Sequence, residues 1–233
     1  MSINKENSLL NHKIVYDLTP FSHLDFPNHL SCIVWMAGCN MRCDYCYNKD
    51  IVFSKEGKLS FDEVLFFLKK RVGLLDAVVL SGGEATQHNL IPFCKEVKKL
   101  GYKIKLDTNG TNYEQLKSLI EFNLLDYIAL DYKAPQQKFK EITHSNQFDI
   151  FSKSLDFLIK SGIDFEVRTT VHNDLLSEND INKIISDLVK RGYDKKYYIQ
   201  EFQEFGENIG NISQSSNSFN KSFLLDALEI VWR

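Results

Sequence analysis

The sequence predicts an α/β protein built as an open, partial (β/α)6 barrel with parallel strands. Segments with the pattern of strands and segments with the pattern of helices alternate about six times along the chain, which is typical of right-handed βαβ units around a parallel sheet. A closed barrel has eight such units in about 250 residues. Six units in 233 residues therefore predict a barrel that stays open. A flavodoxin-like open sheet is the alternative architecture.

Composition and charge exclude several classes of protein. Hydrophobic residues make up 43% of the chain and charged residues 25%, so a sizeable core is expected. A net charge of -3 argues against a nucleic-acid partner, which calls for a concentrated basic face. No apolar run approaches the ~20 residues of a membrane-spanning helix, so no membrane partner is expected. The five cysteines and the absence of an apolar signal core in residues 1–10 predict a cytoplasmic location.

The predicted strands follow an N-terminal loop. Pro20 and Pro27 each favour extended geometry in the preceding residue, so residues 16–27 are predicted to form a loop of defined conformation before the first core strand. The first core strand is expected at residues 31–37. Further strands are predicted at residues 75–80, 103–107, 127–131, 165–171 and 197–202.

The predicted helices carry capping and periodicity signals. Ser60 and Glu63 form a capping box, and apolar residues follow at i, i+3, i+4 and i+7 spacing. Ser177 caps a later helix in the same way. We expect one domain over residues 1–233, with residues 1–15 as an N-terminal extension and residues 207–233 as a polar segment plus a C-terminal helix. The remaining helices are predicted at residues 90–100, 112–122, 150–161 and 223–231.

Three cysteines lie on one short loop directly after the first core strand. Cys39, Cys43 and Cys46 have the spacing Cys-x3-Cys-x2-Cys, and soft sulfur ligands favour iron–sulfur clusters, zinc or copper over hard cations. A structural zinc site normally has four protein ligands in two close pairs, and the sequence offers no second pair. Three ligands leave one position of the metal centre open to a small molecule. The other cysteines, Cys32 and Cys94, are expected to be small buried thiols.

Polar residues collect where the predicted strands end. Ligands bind at this edge in barrels and in open α/β sheets. Taken singly, a Gly-Gly pair is usually a turn and Asp-Thr-Asn-Gly can be a helix start, but a shared edge predicts one site. The segments are Gly82-Gly83-Glu84, Asp107-Thr108-Asn109-Gly110, Asp131-Tyr132-Lys133, Arg168-Thr169-Thr170 and Gln200–Gln203.

The cysteine spacing, with Tyr45 before the third cysteine, resembles the radical S-adenosylmethionine superfamily, and Ser81-Gly82-Gly83-Glu84 resembles its Gly-Gly-Glu motif. The resemblance implies one 4Fe–4S cluster, held by the three cysteines, whose open iron is chelated by the amino and carboxylate groups of S-adenosylmethionine. It also implies that the Gly-Gly-Glu backbone and carboxylate receive the methionyl ammonium. Glycine suits close backbone approach, and a carboxylate suits an ammonium.

Further segments are similar to glycyl-radical enzyme activases, in particular to the compact anaerobic ribonucleoside-triphosphate reductase activating protein family. These segments are Thr19-Pro20-Phe21, Asp25-Phe26-Pro27, Gly73-Leu74-Leu75-Asp76, Leu106–Gly110, Leu130–Lys133 and Arg168–Val171, within residues 16–203. The resemblance implies that Asp131 and Lys133 contact the ribose and the methionyl carboxylate, and that Tyr45 approaches the adenine. It also implies a monovalent-cation site lined by Asp107, Thr108 and Asp131, and cofactor contacts from Arg168 and Gln203. Two positions depart from the pattern: Ala85 stands where proline is usual, and Gln203 stands where the formate-lyase activases have histidine.

The function implied by this resemblance is radical generation. S-adenosylmethionine is cleaved reductively to a 5′-deoxyadenosyl radical, which takes a hydrogen atom from a glycine Cα of a partner such as anaerobic ribonucleotide reductase. A flavodoxin or ferredoxin type donor supplies the electron, and no catalytic residue is expected beyond the cluster and the cofactor.

Two other functions remain open. A 7-carboxy-7-deazaguanine synthase has the same cysteine spacing but places Asp-Thr shortly after the third cysteine, where this chain has Tyr47-Asn48. A non-catalytic iron–sulfur or zinc module would leave Gly82-Gly83-Glu84 and Asp131-x-Lys133 without a role.

Overall fold

The computed structural model describes residues 10–204 and 206–233. These residues form a nine-stranded sheet in the order β3-β1-β2-β4-β5-β6-β7-β8-β9, with β3 and β9 as its edges. Parallel pairing joins β2 to β4, β4 to β5, β7 to β8 and β8 to β9, which confirms the predicted open, mostly parallel α/β fold. The strands are β1 (Lys13–Ser22), β2 (Ser31–Met36), β3 (Leu59–Ser60), β4 (Ala77–Gly82), β5 (Lys103–Thr108), β6 (Tyr127–Asp131), β7 (Phe165–Val171), β8 (Tyr197–Glu201) and β9 (Ile230–Trp232).

Two helices begin where the capping signals predict. Ser60 and Glu63 make a reciprocal capping box, and Ser177 makes another with Asp180. No helix in the described part of the chain combines the length and the apolar character needed to cross a membrane. The helices are α1 (Lys49–Phe53), α2 (Phe61–Lys69), α3 (Ile91–Lys99), α4 (Tyr113–Glu121), α5 (Gln136–Thr143), α6 (Phe148–Ser161) and α7 (Glu178–Arg191).

The chain divides into two compact units. The first contains the described residues up to Asn40 together with Asp50–Thr108 and Asn112–Ile128. The second contains Met41–Lys49, Asn109–Thr111 and the described residues from Ala129 onwards. The first unit has a core of fully buried β2 and β4 side chains such as Val34 and Leu80, and the second packs the aromatic rings of Tyr132, Phe139 and Phe151 together.

The N-terminal loop prediction is wrong for residues 16–22, which belong to β1. This strand pairs antiparallel with β2, and β3 reaches it only at Lys13 and Val15. Among the described residues, Pro20 therefore lies on a stretch of β1 that pairs with β2 alone, within a register shift between Thr19 and Ser22. A proline lacks the N–H of a central strand but is tolerated at such an edge or bulge. The strand also includes the last residues of the predicted extension 1–15, of which residues 1–9 lie outside the described part.

The predicted helix at residues 223–231 is also wrong. A short 3-10 helix at Lys221–Phe223 comes first, and β9 follows and pairs in parallel with β8, Tyr197 against Ile230 and Ile199 against Trp232. The apolar run Ile230-Val231-Trp232 fits a strand because β-branched and aromatic side chains pack well on a sheet. The sequence analysis missed α1 and α5, which are short.

Candidate functional site

In the first unit, the end of β4 is fixed against the start of the cysteine loop, which we define as residues 37–48. The Gly83 N–H donates to the Met36 carbonyl and the Glu84 N–H donates to the Gly38 carbonyl, both at 2.9 Å. A Cβ on Gly82 would lie 2.7 Å from the Met36 carbonyl oxygen, and one on Gly83 would overlap the Gly38 carbonyl. The two glycines therefore allow the backbone at the end of β4 to approach the end of β2 and the start of the cysteine loop closely.

Glu84 presents a buried carboxylate at this strand end. Its residue is 1% exposed, and its Oε1 accepts hydrogen bonds from the Thr86 N–H at 3.1 Å, the Thr86 hydroxyl at 2.6 Å and the Thr108 hydroxyl at 2.7 Å. These donors fix the orientation of the side chain. A carboxylate held in this way suits a cationic ligand group.

Asp107 has a cationic neighbour on its own strand. The Lys105 ammonium lies 2.6 Å from Asp107 Oδ1, and the Ser81 hydroxyl donates to Oδ2 at 3.1 Å. Lys105 and Asp107 are two residues apart on β5 and so project from the same face. The sequence analysis missed Lys105, although the two-residue period of a strand would have paired it with Asp107.

In the second unit, the later part of the cysteine loop meets the C-terminal end of α5. The Arg42 and Asp44 N–H groups donate to the Thr143 and Ile142 carbonyls at 2.9 and 3.1 Å. The last carbonyls of a helix lack partners within the helix, so α5 supplies acceptors that orient the loop. His144, just beyond α5, adds a contact from its Nε2 to Asp44 Oδ1 at 2.7 Å.

None of the five cysteines, all of which lie in the described part of the chain, forms a disulfide, but their surroundings differ. Burial raises the pKa of Cys32 and of Cys94 to about 12, which disfavours the thiolate that binds metals. Burial also raises the pKa of Cys43, to about 11, against the opposing effect of the Lys133 ammonium. Cys39 and Cys46 are only partly buried. A metal centre on this loop would therefore displace a proton from Cys43.

Asp131, Lys133 and Arg168 form one charged cluster where β6 ends. Lys133 Nζ lies 2.9 Å from Asp131 Oδ2, and Arg168 Nε lies 2.5 Å from Oδ1. Burial alone would raise the pKa of Asp131, but the guanidinium and the ammonium outweigh it and hold that pKa well below its usual range. Burial alone would lower the pKa of Lys133, and Asp131 holds it well above its usual range. Two cations around one carboxylate leave a positive charge that suits an anionic ligand group.

Tyr45 lies beside this cluster. Lys133 Nζ is 5.9 Å from the centre of the Tyr45 ring. The Tyr45 hydroxyl is buried and has no hydrogen-bond partner within the described residues. A buried unpaired hydroxyl is costly, and it marks a polar atom that a bound group can satisfy. Gln203, in contrast, is exposed two residues beyond β8.

The residues present fit a soft metal centre by their donor chemistry. The cysteine loop carries three cysteines at close spacing in the sequence, none of them in a disulfide, and cysteine thiolates are the ligands of iron–sulfur clusters. Within residues 10–204 and 206–233, no three or more His, Cys, Asp or Glu side chains are arranged to hold a metal ion. The cation site predicted at Asp107, Thr108 and Asp131 stays a prediction. In this structure Asp107 is paired with Lys105, and Asp131 is paired with Lys133.

Comparison with known proteins identifies the family. A family model described as the Radical SAM superfamily matches residues 33–188, from β2 to α7. The chain belongs to the radical SAM superfamily. Membership implies that this radical SAM chain uses a 4Fe–4S cluster and S-adenosylmethionine.

Relatives of this radical SAM chain include proteins of more than one activity. A protein of Methanocaldococcus jannaschii, named provisionally as a glycyl-radical enzyme activating enzyme, is 31% identical over 82% of this chain and 80% of its own length. A pyruvate formate-lyase-activating enzyme of Streptococcus mutans is 30% identical over 58% of this chain and 56% of its own length. A 7-carboxy-7-deazaguanine synthase of Buchnera aphidicola is 24% identical over 61% of this chain and 72% of its own length.

Solved structures share the fold of this radical SAM chain. SuiB of Streptococcus suis, bound to S-adenosylmethionine, superposes with a TM-score of 0.68 at 12% identity over 86% of this chain. At this identity the likeness shows the fold alone. The chain spans about half the length of the solved structures that it matches.

Proposed function

We propose that this radical SAM chain is a glycyl-radical enzyme activating enzyme. The observation that carries the proposal is the similarity to the M. jannaschii protein, which extends over 80% of that protein's length. When bound, the cluster and S-adenosylmethionine supply a one-electron cleavage to methionine and a 5′-deoxyadenosyl radical, which takes a hydrogen atom from a glycine Cα to leave 5′-deoxyadenosine. The proposed partner is an anaerobic ribonucleotide reductase, and the electron donor is of the flavodoxin or ferredoxin type.

The chain's own residues bind and orient in this proposal. Cys39, Cys43 and Cys46 hold the cluster, because they are the closely spaced soft donors on the loop after β2. Burial raises the pKa of Cys43 to about 11, so this thiol is protonated at neutral pH and would lose its proton on binding a cluster. Cys32 and Cys94 take no part, since both lie fully buried in the core.

In this proposal, each charged end of the methionyl group binds residues of complementary charge. Glu84, buried and oriented by Thr86 and Thr108, receives the ammonium. The cluster of Asp131, Lys133 and Arg168 carries the positive charge that the carboxylate requires. Asp131 also faces the ribose in this proposal, and its oxygens can accept more than the two bonds that they now receive.

The remaining contacts belong to the rest of the cofactor. Tyr45 approaches the adenine, and its buried hydroxyl gains the partner that the described residues do not give it. The strand-end backbone of Gly82 and Gly83 contributes to the ammonium site. Gln203 reaches the cofactor from the segment after β8, and Asp107, Thr108 and Asp131 line the cation site.

The experiment that tests this function uses the cluster-loaded chain, a reductant, S-adenosylmethionine and a glycyl-radical enzyme from the same organism. We expect a glycyl-type doublet in the electron paramagnetic resonance spectrum. The matched control is the partner with its radical glycine changed to alanine, which should give no doublet. Cleavage of the cofactor without a radical on any such partner would contradict the proposal. That outcome would favour a small-molecule substrate, as in the synthase relatives, and conversion of a deazaguanine precursor would then be measured.

A further inference from the structure

A segment without any recognised motif lies against the cysteine loop in the second unit. We call residues 207–212 the clamp segment. The Ile209 N–H donates to the Cys46 carbonyl at 3.0 Å, and the Gly210 N–H donates to the Asp44 carbonyl at 2.9 Å. These two bonds connect consecutive N–H groups of the clamp segment to two backbone carbonyls of the loop.

The clamp segment is shaped by its own residues. Asn208 is 3% exposed, and its side chain donates to the Ile212 carbonyl at 2.6 Å and accepts from the Ile212 N–H at 2.8 Å. This side chain closes a turn that directs the next two N–H groups at the loop. Lys49, directly after the loop, forms an ion pair with Glu207 at 3.0 Å.

The clamp segment and α5 bind complementary backbone groups of one loop residue, Asp44. The Asp44 N–H donates to α5 and the Asp44 carbonyl accepts from Gly210, so both backbone groups of this residue are paired. Cys46 is fixed similarly, since its N–H donates to the Cys43 carbonyl and its carbonyl accepts from Ile209. The stretch from Cys43 to Cys46 is therefore held on two sides by segments from distant parts of the sequence.

Gly210 makes this contact possible. A Cβ on Gly210 would lie 2.6 Å from Asp44 Cβ and 2.9 Å from Asp44 Cα, closer than van der Waals contact allows. The φ angle of Gly210 is not positive. An alanine at this position would therefore meet no backbone strain of its own, and its methyl group would act only by pushing the clamp segment away from Asp44.

We propose that the clamp segment is a positioning element that holds Cys43 and Cys46 in place and limits access of solvent and reagents to them. Its effect on a cluster rests on the proposed role of these cysteines as ligands. Its effect on the thiols themselves does not, so the two ideas can fail separately.

The test is the rate of thiol alkylation in the metal-free, full-length chain, resolved by cysteine with mass spectrometry. Gly210→Ala should raise the alkylation rate of Cys46 about tenfold, the factor for the loss of two backbone hydrogen bonds of modest net strength. The buried Cys32 and Cys94 are internal controls and should keep their rates. Ser218→Thr, which adds a methyl group at an exposed position of the same polar region, should change nothing.

A second variant and a second readout complete the test. Asn208→Ala opens the turn without adding bulk and should raise the Cys46 rate in the same direction. In the cluster-loaded chain, both variants should release iron to a chelator faster than Ser218→Thr and change the electron paramagnetic resonance signal of the reduced cluster. Unchanged Cys46 alkylation in both folded variants would overturn the proposal. A wild-type chain that takes up no iron would contradict the proposed function and leave the alkylation result valid.

Discussion

At the scale of single residues, Asp131 organises the charges at the end of β6. Its two oxygens contact Lys133 and Arg168, and its side chain is 19% exposed. Removing one partner of a buried ion pair leaves an uncompensated charge in a place with little water. The three residues therefore stabilise the fold as a group, whatever ligand they receive.

Asp131→Asn should lower the free energy of unfolding by about 2–3 kcal/mol, somewhat less than for a fully buried pair because water still reaches the cluster. Chemical denaturation of the metal-free chain measures this change. Asp164→Asn is the matched control, because Asp164 pairs with Lys195 at 3.6 Å with its side chain 82% exposed. The control should cost well under about 1 kcal/mol, and equal losses in both variants would contradict the role given to Asp131.

At the scale of elements, Asp180 connects α5 to the start of α7. It receives hydrogen bonds from Ser177 in the capping box, and Lys138 of α5 lies 2.8 Å from its Oδ2. Burial alone would raise the pKa of Asp180, but the hydrogen bonds from Lys138 and Ser177 lower it from 3.8 to about 2. The charged carboxylate is thus favoured in the folded chain.

The lowered pKa predicts an acid-sensitive contribution to stability. A carboxyl group with a lowered folded pKa contributes its stability above its unfolded pKa and loses it as the pH falls through the folded value. Asp180 should contribute about 2 kcal/mol at neutral pH, lost between about pH 4 and pH 2. Asp180→Asn should therefore flatten the decline of the unfolding free energy in this window. An unchanged slope, measured by denaturation at several pH values, would show that Asp180 is not the group responsible.

The end of β4 offers a second test at this scale. Gly83→Ala would place a methyl group on the Gly38 carbonyl and should displace the start of the cysteine loop, so Cys39 should be alkylated faster. Gly73 is the matched control, since its φ is +80° and a Cβ there would meet no atom within 4 Å. Gly73→Ala should cost about 1 kcal/mol through backbone strain and leave the Cys39 rate unchanged. Similar Cys39 rates in the two variants would mean that Gly83 is not needed for the contact.

At the scale of the whole molecule, the number of bound irons tests the proposal that Cys39, Cys43 and Cys46, and not the other cysteines, hold the cluster. Anaerobic reconstitution should give about four irons per chain, as one 4Fe–4S cluster requires. Cys46→Ala should lower this number. Cys94→Ala should leave it unchanged, because Cys94 lies on α3 and is fully buried in the hydrophobic core. The loaded chain should also melt at a higher temperature than the metal-free chain, since a group that binds only the folded state stabilises it. A value near eight irons, or loss of iron in Cys94→Ala, would contradict this assignment.

The sequence predicts the regular part of the fold and the local part of the site. The strand at 127–131 and the caps at Ser60 and Ser177 follow from periodicity and local hydrogen bonding, which neighbouring residues determine. Residue spacing does not predict the place of Pro20 in β1, because a proline is tolerated there only where β3 does not extend along β1. The ion pair of Asp131 with Arg168 and the contact of Gly210 with Asp44 are tertiary contacts, and residue spacing does not predict either of them.

The pairing of Cys46 with Ile209 also sets an order of events during synthesis. The two residues are 163 positions apart (209 − 46), and translation at about 5–20 residues per second takes roughly ten to thirty seconds to cover that distance. Throughout that interval the Cys46 and Asp44 carbonyls have no clamp segment to accept from. If the clamp segment protects the loop as proposed, the thiols of a nascent chain should react faster than those of a finished one, and iron delivered early would meet a loop bound by α5 alone.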